Sequence, residues 1–210
     1  MFIKICGTTS VEDALLAVSL GADALGFIFA ESKRQVDVAT VAAIVPQLPA
    51  ETIAVGVFRN ESAERILEIV KAAGLTGVQL HGSEGPEVAQ ALRDTIAFLV
   101  QVFTADDPRL ERLDEYPIDA VLLDSPTPGS GATFDWSKVA DLPQRHRVVL
   151  AGGLNAANVA EAVERVRPWG VDVVSGVEAS AGRKDPDALA AFIETAKDAL
   201  SEFSTDPGPA

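Results

Sequence analysis

A single cysteine in 210 residues removes two classes of protein at once: chains held together by internal disulfides, and cysteine-rich metal sites. With only His81 and His146 present, a multi-histidine site is removed as well, and no metal is expected. No apolar run approaches the roughly 20 residues needed to cross a bilayer. The opening MFIKICGTTS turns polar too soon for a signal peptide. The expected setting is therefore reduced and cytoplasmic, with no membrane partner. Cations are scarce too: six lysines and eleven arginines stand against 31 acidic residues, a formal net charge of −14 at pH 7. Such a surface repels polyanions, so no nucleic-acid partner is expected. An acidic surface poor in lysine suits concentrated salt, where screening removes self-repulsion, and it also suits an ordinary acidic protein.

What the chain does have is apolar material, 48% of its residues, too much for intrinsic disorder. Its 16 glycines carry no collagen-like period. Short β-rich runs alternate with amphipathic stretches. The strand-like runs cover 2–6, 23–29, 52–58, 76–81, 96–103, 119–124, 147–152 and 171–176, each apolar and often β-branched at its centre. Helix-like segments lie at Val11–Leu20, Val38–Gln47, Ala63–Ala73, Pro86–Leu92, Ala157–Arg167 and Pro186–Leu200. Ser10 and Ser62 stand where N-caps belong, and Gly21 and Gly74 where helices should stop. The Pro-, Asp- and Gly-containing stretches 104–118 and 125–146 should hold only short or irregular helices.

Eight β/α units predict an eight-stranded parallel (β/α)8 barrel in one domain, residues 1–202, followed by a flexible tail, 203–210. The rival, an open doubly wound sheet, would show a GxGxxG fingerprint after its first strand, and none is there.

Strand alternation then assigns faces, since residues i and i+2 share one. Ile3, Ile5, Val78, Leu80, Val121, Leu123, Val171 and Val173 should face the helices. Phe2, Lys4, Cys6, Gln79, His81, Leu122, Asp124 and Asp172 should face the axis. Cys6, His81 and Asp124 fall at C-terminal strand ends, where this fold carries its active site. A thiol beside the Lys4 ammonium should be shifted toward thiolate, making Cys6 a nucleophile or base, against the alternative of a small core residue. Asp124 is the candidate acid, with a turn-capping role as its alternative. His81 reads as a hydrogen-bonding pocket residue rather than a catalyst. Gly152 and Gly153 after the seventh strand, before a helix near Ala156, and Ser175 and Gly176 after the eighth, form a candidate phosphate nest. Arg34 could clamp a carboxylate in bidentate fashion.

Taken in order, KICG (4–7), GADALGFIF (21–29), SKR (32–34), VGVF (55–58), VQLHG (78–82), LLDS (122–125), GSGATFDW (129–136), LAGGLNAANV (150–159) and SGVEASAGRKD (175–185) span nearly the whole chain. On these motifs the sequence resembles the phosphoribosylanthranilate isomerase family of tryptophan biosynthesis. The resemblance implies an aldose–ketose isomerase that performs an Amadori rearrangement of a phosphosugar, with no cofactor and as a monomer or homodimer. It implies Cys6 as general base and Asp124 as general acid. It places the anthranilate carboxylate on Arg34 and the phosphate on the LAGG glycines and the SGVE turn; the axis-facing Lys4, His81 and Asp172 are further candidate substrate-binding residues from the strand alternation. Val174, Pro128 and Gln35 depart from the family's usual serine, glycine and aromatic or valine. Two rival readings remain: a Schiff-base aldolase or lyase with Lys4 as nucleophile, and a barrel that binds phosphate without catalysis.

Overall fold

The computed structural model describes residues 1–126, 133–139, 142 and 145–201. Pro128, the GSG run at 129–131 and the tail 203–210 lie outside them. Eight parallel strands close into a barrel in sequence order: β1 Phe2–Cys6, β2 Ala24–Ile28, β3 Ile53–Phe58, β4 Gly77–Leu80, β5 Phe98–Thr104, β6 Ala120–Asp124, β7 Val148–Leu150 and β8 Gly170–Val173. Around them lie α1 Val11–Leu20, α2 Val38–Ile44, α3 Ala63–Ala73, α4 Pro86–Arg93, α5 Val159–Val166 and α6 Pro186–Ser201. A small antiparallel pair, β9 Glu178–Ser180 and β10 Arg183–Lys184, follows β8.

Local chemistry accounts for the helix ends. The Ser10 and Ser62 side chains accept hydrogen bonds from the Asp13 and Arg65 N–H groups, and Gly21 and Gly74 close α1 and α3 in the left-handed conformation. After β5 and β6 the described residues form 3₁₀ turns, Pro108–Glu115 and Trp136–Val139, in place of α-helices. One start falls later than expected: α5 begins at Val159, because the Asn158 side chain accepts the Asn155 N–H and the Asn155 side chain accepts the Ala157 N–H, which hold residues 155–158 in a turn.

The strand faces divide as predicted. Ile3, Ile5, Val78, Leu80, Val121, Leu123, Val171 and Val173 belong to the large apolar layer between strands and helices. Phe2, Val55, Phe98, Val100, Leu122 and Val149 form a separate cluster on the axis. That inner cluster fills the middle and lower barrel, and polar side chains take over toward the C-terminal strand ends. Among the described residues no helix is long and apolar enough to cross a membrane.

Candidate active site

Two residues up each strand from the apolar axis, the side chains change character. Cys6 ends β1 with Gly26 as its register partner on β2. A Cβ at Gly26 would stand 2.5 Å from the Cys6 sulfur, so a glycine there makes room for the thiol. Below Cys6, Lys4 and Asp172 are register partners on β1 and β8, and their side chains pair at 2.8 Å in the barrel interior. Gln79 and His81 rise from β4; the Gln79 amide nitrogen lies 2.9 Å from His81 Nδ1. An amide nitrogen only donates, so Nδ1 accepts and Nε2 carries the proton, pointing at Asp124 Oδ2 3.5 Å away. Asp124, at the end of β6, accepts the Ser125 N–H on Oδ1 at 2.7 Å, which leaves Oδ2 toward the cavity.

Cys6, Arg34, His81, Asp124 and Asp172 all line one cavity of about 240 Å³ whose apolar walls include Ile28 and Val57. A smaller recess adjoins it, lined by Gly152, Gly153 and Ser175 and sharing Asp124, Asp172 and Val174 with the larger cavity. Gly152 and Gly153 have φ of 82° and 68°, which a side chain would strain, and the bare backbone there lets an anion approach.

Several expectations need correction. The Cys6 thiol is not shifted toward thiolate; burial pushes its pKa up, Lys4 pulls it down and Asp172 pushes it up again, with a net rise. The sequence shows the lysine beside the thiol, but not the depth of burial or the aspartate that engages the lysine. For Lys4, burial opposes its charge but Asp172 and Cys6 outweigh it, so the ammonium is held charged. Lys4 is 1% exposed and lines neither of these cavities, its ammonium lying against Asp172. Gly176 lies outside the recess; its backbone presses on Leu154, where a Cβ would meet the carbonyl oxygen at 2.0 Å. Arg34 is not an open clamp: Nε and Nη2 donate to both oxygens of Glu178 at 2.8–3.0 Å, leaving the Nη1 edge.

That pairing brings in two residues the sequence analysis did not single out, although both lie in the SGVEASAGRKD segment. Glu178 and Lys184 come from the β9–β10 pair; Lys184 is buried and the Glu178 side chain is only 4% exposed. The Lys184 ammonium donates to the Cys6 carbonyl at 2.6 Å and to Glu178 at 3.4 Å. Burial lowers the Lys184 pKa, with Glu178 opposing. One buried pair thus ties the backbone of Cys6 to the guanidinium of Arg34. The only signal in the sequence was two opposite charges close after the eighth strand. Of the departures, Val174 walls both cavities, while Gln35 bonds the Phe29 carbonyl away from them.

A closed barrel with a thiol, a carboxylate and a guanidinium around one C-terminal cavity places this chain among the (β/α)8-barrel enzymes. The family model described as N-(5'phosphoribosyl)anthranilate (PRA) isomerase matches residues 3–195, and the chain belongs to that family. The N-(5'-phosphoribosyl)anthranilate isomerase of Desulforudis audaxviator is 43% identical over 202 residues, covering 94% of this chain and 98% of its own. The crystal structure of phosphoribosyl anthranilate isomerase from Thermus thermophilus matches with TM-score 0.88 at 36% identity, covering 97% and 100% of the two chains. Another solved phosphoribosyl anthranilate isomerase, in complex with reduced 1-(o-carboxyphenylamino)-1-deoxyribulose 5-phosphate, matches with TM-score 0.85 at 40% identity, covering 94% and 99%.

Proposed function

We propose that the chain converts N-(5-phosphoribosyl)anthranilate to 1-(2-carboxyphenylamino)-1-deoxyribulose 5-phosphate without a cofactor, with Asp124 as general acid and Cys6 as general base. The observation that carries this reading is the shared wall of the two cavities. A glycine-lined recess for the phosphate meets an apolar-walled cavity holding Arg34 for the carboxylate, and Asp124 stands at the junction. Support comes from the solved relative bound to a reduced form of that product.

In this reading Asp124 gives a proton to the furanose ring oxygen, the bond from that oxygen to the first sugar carbon breaks, and the nitrogen lone pair forms an iminium. Cys6 then takes the proton from the second sugar carbon; its electron pair forms the carbon–carbon double bond of an enolamine as the iminium collects the other pair. Protonation at the first carbon and loss of the hydroxyl proton give the ketone. A buried neutral thiol suits the resting site, because the cationic iminium arriving beside it favours thiolate at the step where a base is needed. The Schiff-base alternative is disfavoured by Lys4 itself, whose ammonium is held charged and away from the cavity. A neutral amine is what that chemistry requires.

The test is loss of anthranilate fluorescence from substrate formed in place by an added transferase from anthranilate and phosphoribosyl pyrophosphate, in dilute and molar salt. Fast loss on adding the protein is expected. No loss at either salt, from protein shown to be folded, would overturn the proposal.

A further inference from the structure

The cation that follows β3 has no part in the steps above. Val55 points to the axis and Val57 lines the cavity, and the same alternation carries Arg59 inward at the mouth, while Phe58 between them packs outward and stacks on Phe29. The backbone around Arg59 is tightly held. The His81 N–H donates to the Phe58 carbonyl at 2.8 Å. The buried Glu84 carboxylate accepts the Asn60 and Gly82 N–H groups at 2.6 and 2.7 Å. Asn60 then turns the chain away with φ of 54°, a conformation asparagine tolerates.

From that position Arg59 lines both the cavity of about 240 Å³ that holds Cys6 and a second one, about 280 Å³, on the far side of His81. Three guanidinium groups among the described residues face these two spaces. Arg34 is engaged by Glu178, and Arg109 by Asp107 at 2.6 Å. Arg59 makes no hydrogen bond or ion pair to any described residue. Anions are plentiful by contrast: Glu31, Asp124 and Asp172 line the Cys6 cavity. With Arg34 bonded to Glu178 and Asp172 to Lys4, Arg59 is the guanidinium at this cavity, among the described residues, that is left without an ion pair and so free to meet a carboxylate ligand.

We propose that Arg59 is a second carboxylate-binding residue. It closes on the acid group of the bound arylamine opposite the Nη1 edge of Arg34, and so sets the preference for a carboxylated arylamine over a neutral one. The assignment rests on the isomerase reading and names how that site selects its aromatic end. Two guanidinium groups sharing one carboxylate provide charge-assisted bonds that a neutral ring cannot use.

The experiment compares dissociation constants of two ligands: reduced 1-(o-carboxyphenylamino)-1-deoxyribulose 5-phosphate and its counterpart made from aniline, which lacks the carboxylate. Arg59→Gln is expected to weaken the carboxylated ligand about tenfold and to leave the aniline ligand unchanged, with Arg59→Lys recovering part of the loss. The double variant Arg59→Gln/Glu31→Gln separates ligand binding from charge balance. Binding that stays weak supports direct contact, and full recovery means that Arg59 only offsets Glu31 and overturns the assignment. Equal weakening of both ligands, or no change in either, would overturn it too. If the unaltered protein binds neither ligand, the isomerase reading falls and the Arg59 assignment with it. Binding of both with no Arg59 effect removes only the latter.

Discussion

At the N-terminal end of the barrel Phe2 stacks on Trp169 with ring centroids 4.6 Å apart and tilts against Phe98 at 5.4 Å, and Arg147 covers Trp169 at 5.4 Å. Two residues along the same strand Lys4 is an ammonium ion, and two further on Cys6 is a thiol facing a cavity. The same change runs up the neighbours: Gly170 to Asp172 on β8, Gly77 to Gln79 to His81 from β4, Ala120 to Leu122 to Asp124 on β6. The lower barrel is built from contacts any stable core would choose. The upper barrel holds groups whose burial is unfavourable unless paired, and it pairs Lys4 with Asp172, Lys184 with Glu178, and the Gln79 amide nitrogen with His81, leaving the Gln79 amide oxygen without a partner among the described residues. Because β1 passes through both ends, three alternate residues take it from packing to charge to chemistry. Stability resides below and in the outer apolar layer, and reactivity above.

The sharpest way to break that division is to exchange the effects of the two ends. Cys6→Ser and Asp124→Asn should each lower turnover by ~10²–10⁴-fold, the range of a positioned acid or base, with the melting temperature nearly unchanged. Phe2→Ala should do the reverse, costing about 3–5 kcal/mol of stability by emptying a core position while the folded fraction keeps its kcat. Denaturant melts and steady-state kinetics on the same preparations check both. A Phe2→Ala protein that is stable but inactive, or a Cys6→Ser protein that unfolds, would dissolve the distinction.

A pH series sharpens it further. Burial, with Asp172 added and Lys4 opposing, raises the folded-state pKa of Cys6 above that of a free thiol. The stability tied to this group is therefore complete below the unfolded thiol's pKa and is lost as pH rises through the folded value. Alkylation of this lone thiol should accelerate only above the usual cysteine range; a midpoint at or below that range would contradict the burial account. The smallest effect concerns the surface rather than either end. If the −14 net charge reflects a salt-rich setting, the melting temperature should climb steeply from dilute buffer to molar salt, and a flat curve returns the protein to the ordinary acidic class.

The barrel was legible in the sequence because strand and helix periodicities alternated at six of the eight units, and the strand pattern continued through the other two. Ile3 and Ile5 against Phe2 and Lys4 already separate outside from axis, and the structure keeps that separation. Ser10, Gly21, Ser62 and Gly74 marked helix ends through chemistry confined to four or five residues. What escaped depends on partners far along the chain. Arg34 and Glu178 are 144 residues apart, and Lys184 reaches the carbonyl of a residue 178 positions earlier. The direction of the Cys6 shift escaped for a related reason, since it is set by how much water the closed barrel excludes rather than by the lysine two residues away. Arg59 was passed over because nothing in a sequence distinguishes a paired guanidinium from an unpaired one.

The measurement closest to the central claim follows the hydrogen on the second sugar carbon of N-(5-phosphoribosyl)anthranilate. With deuterium at that carbon, the unaltered protein should form the ketose with the deuterium gone from its original position. Cys6→Ser should bind reduced 1-(o-carboxyphenylamino)-1-deoxyribulose 5-phosphate as tightly yet remove that deuterium ~10²–10⁴-fold more slowly. A Cys6→Ser protein that removes it at nearly the original rate would return Cys6 to core packing and leave the mouth of this barrel without its base.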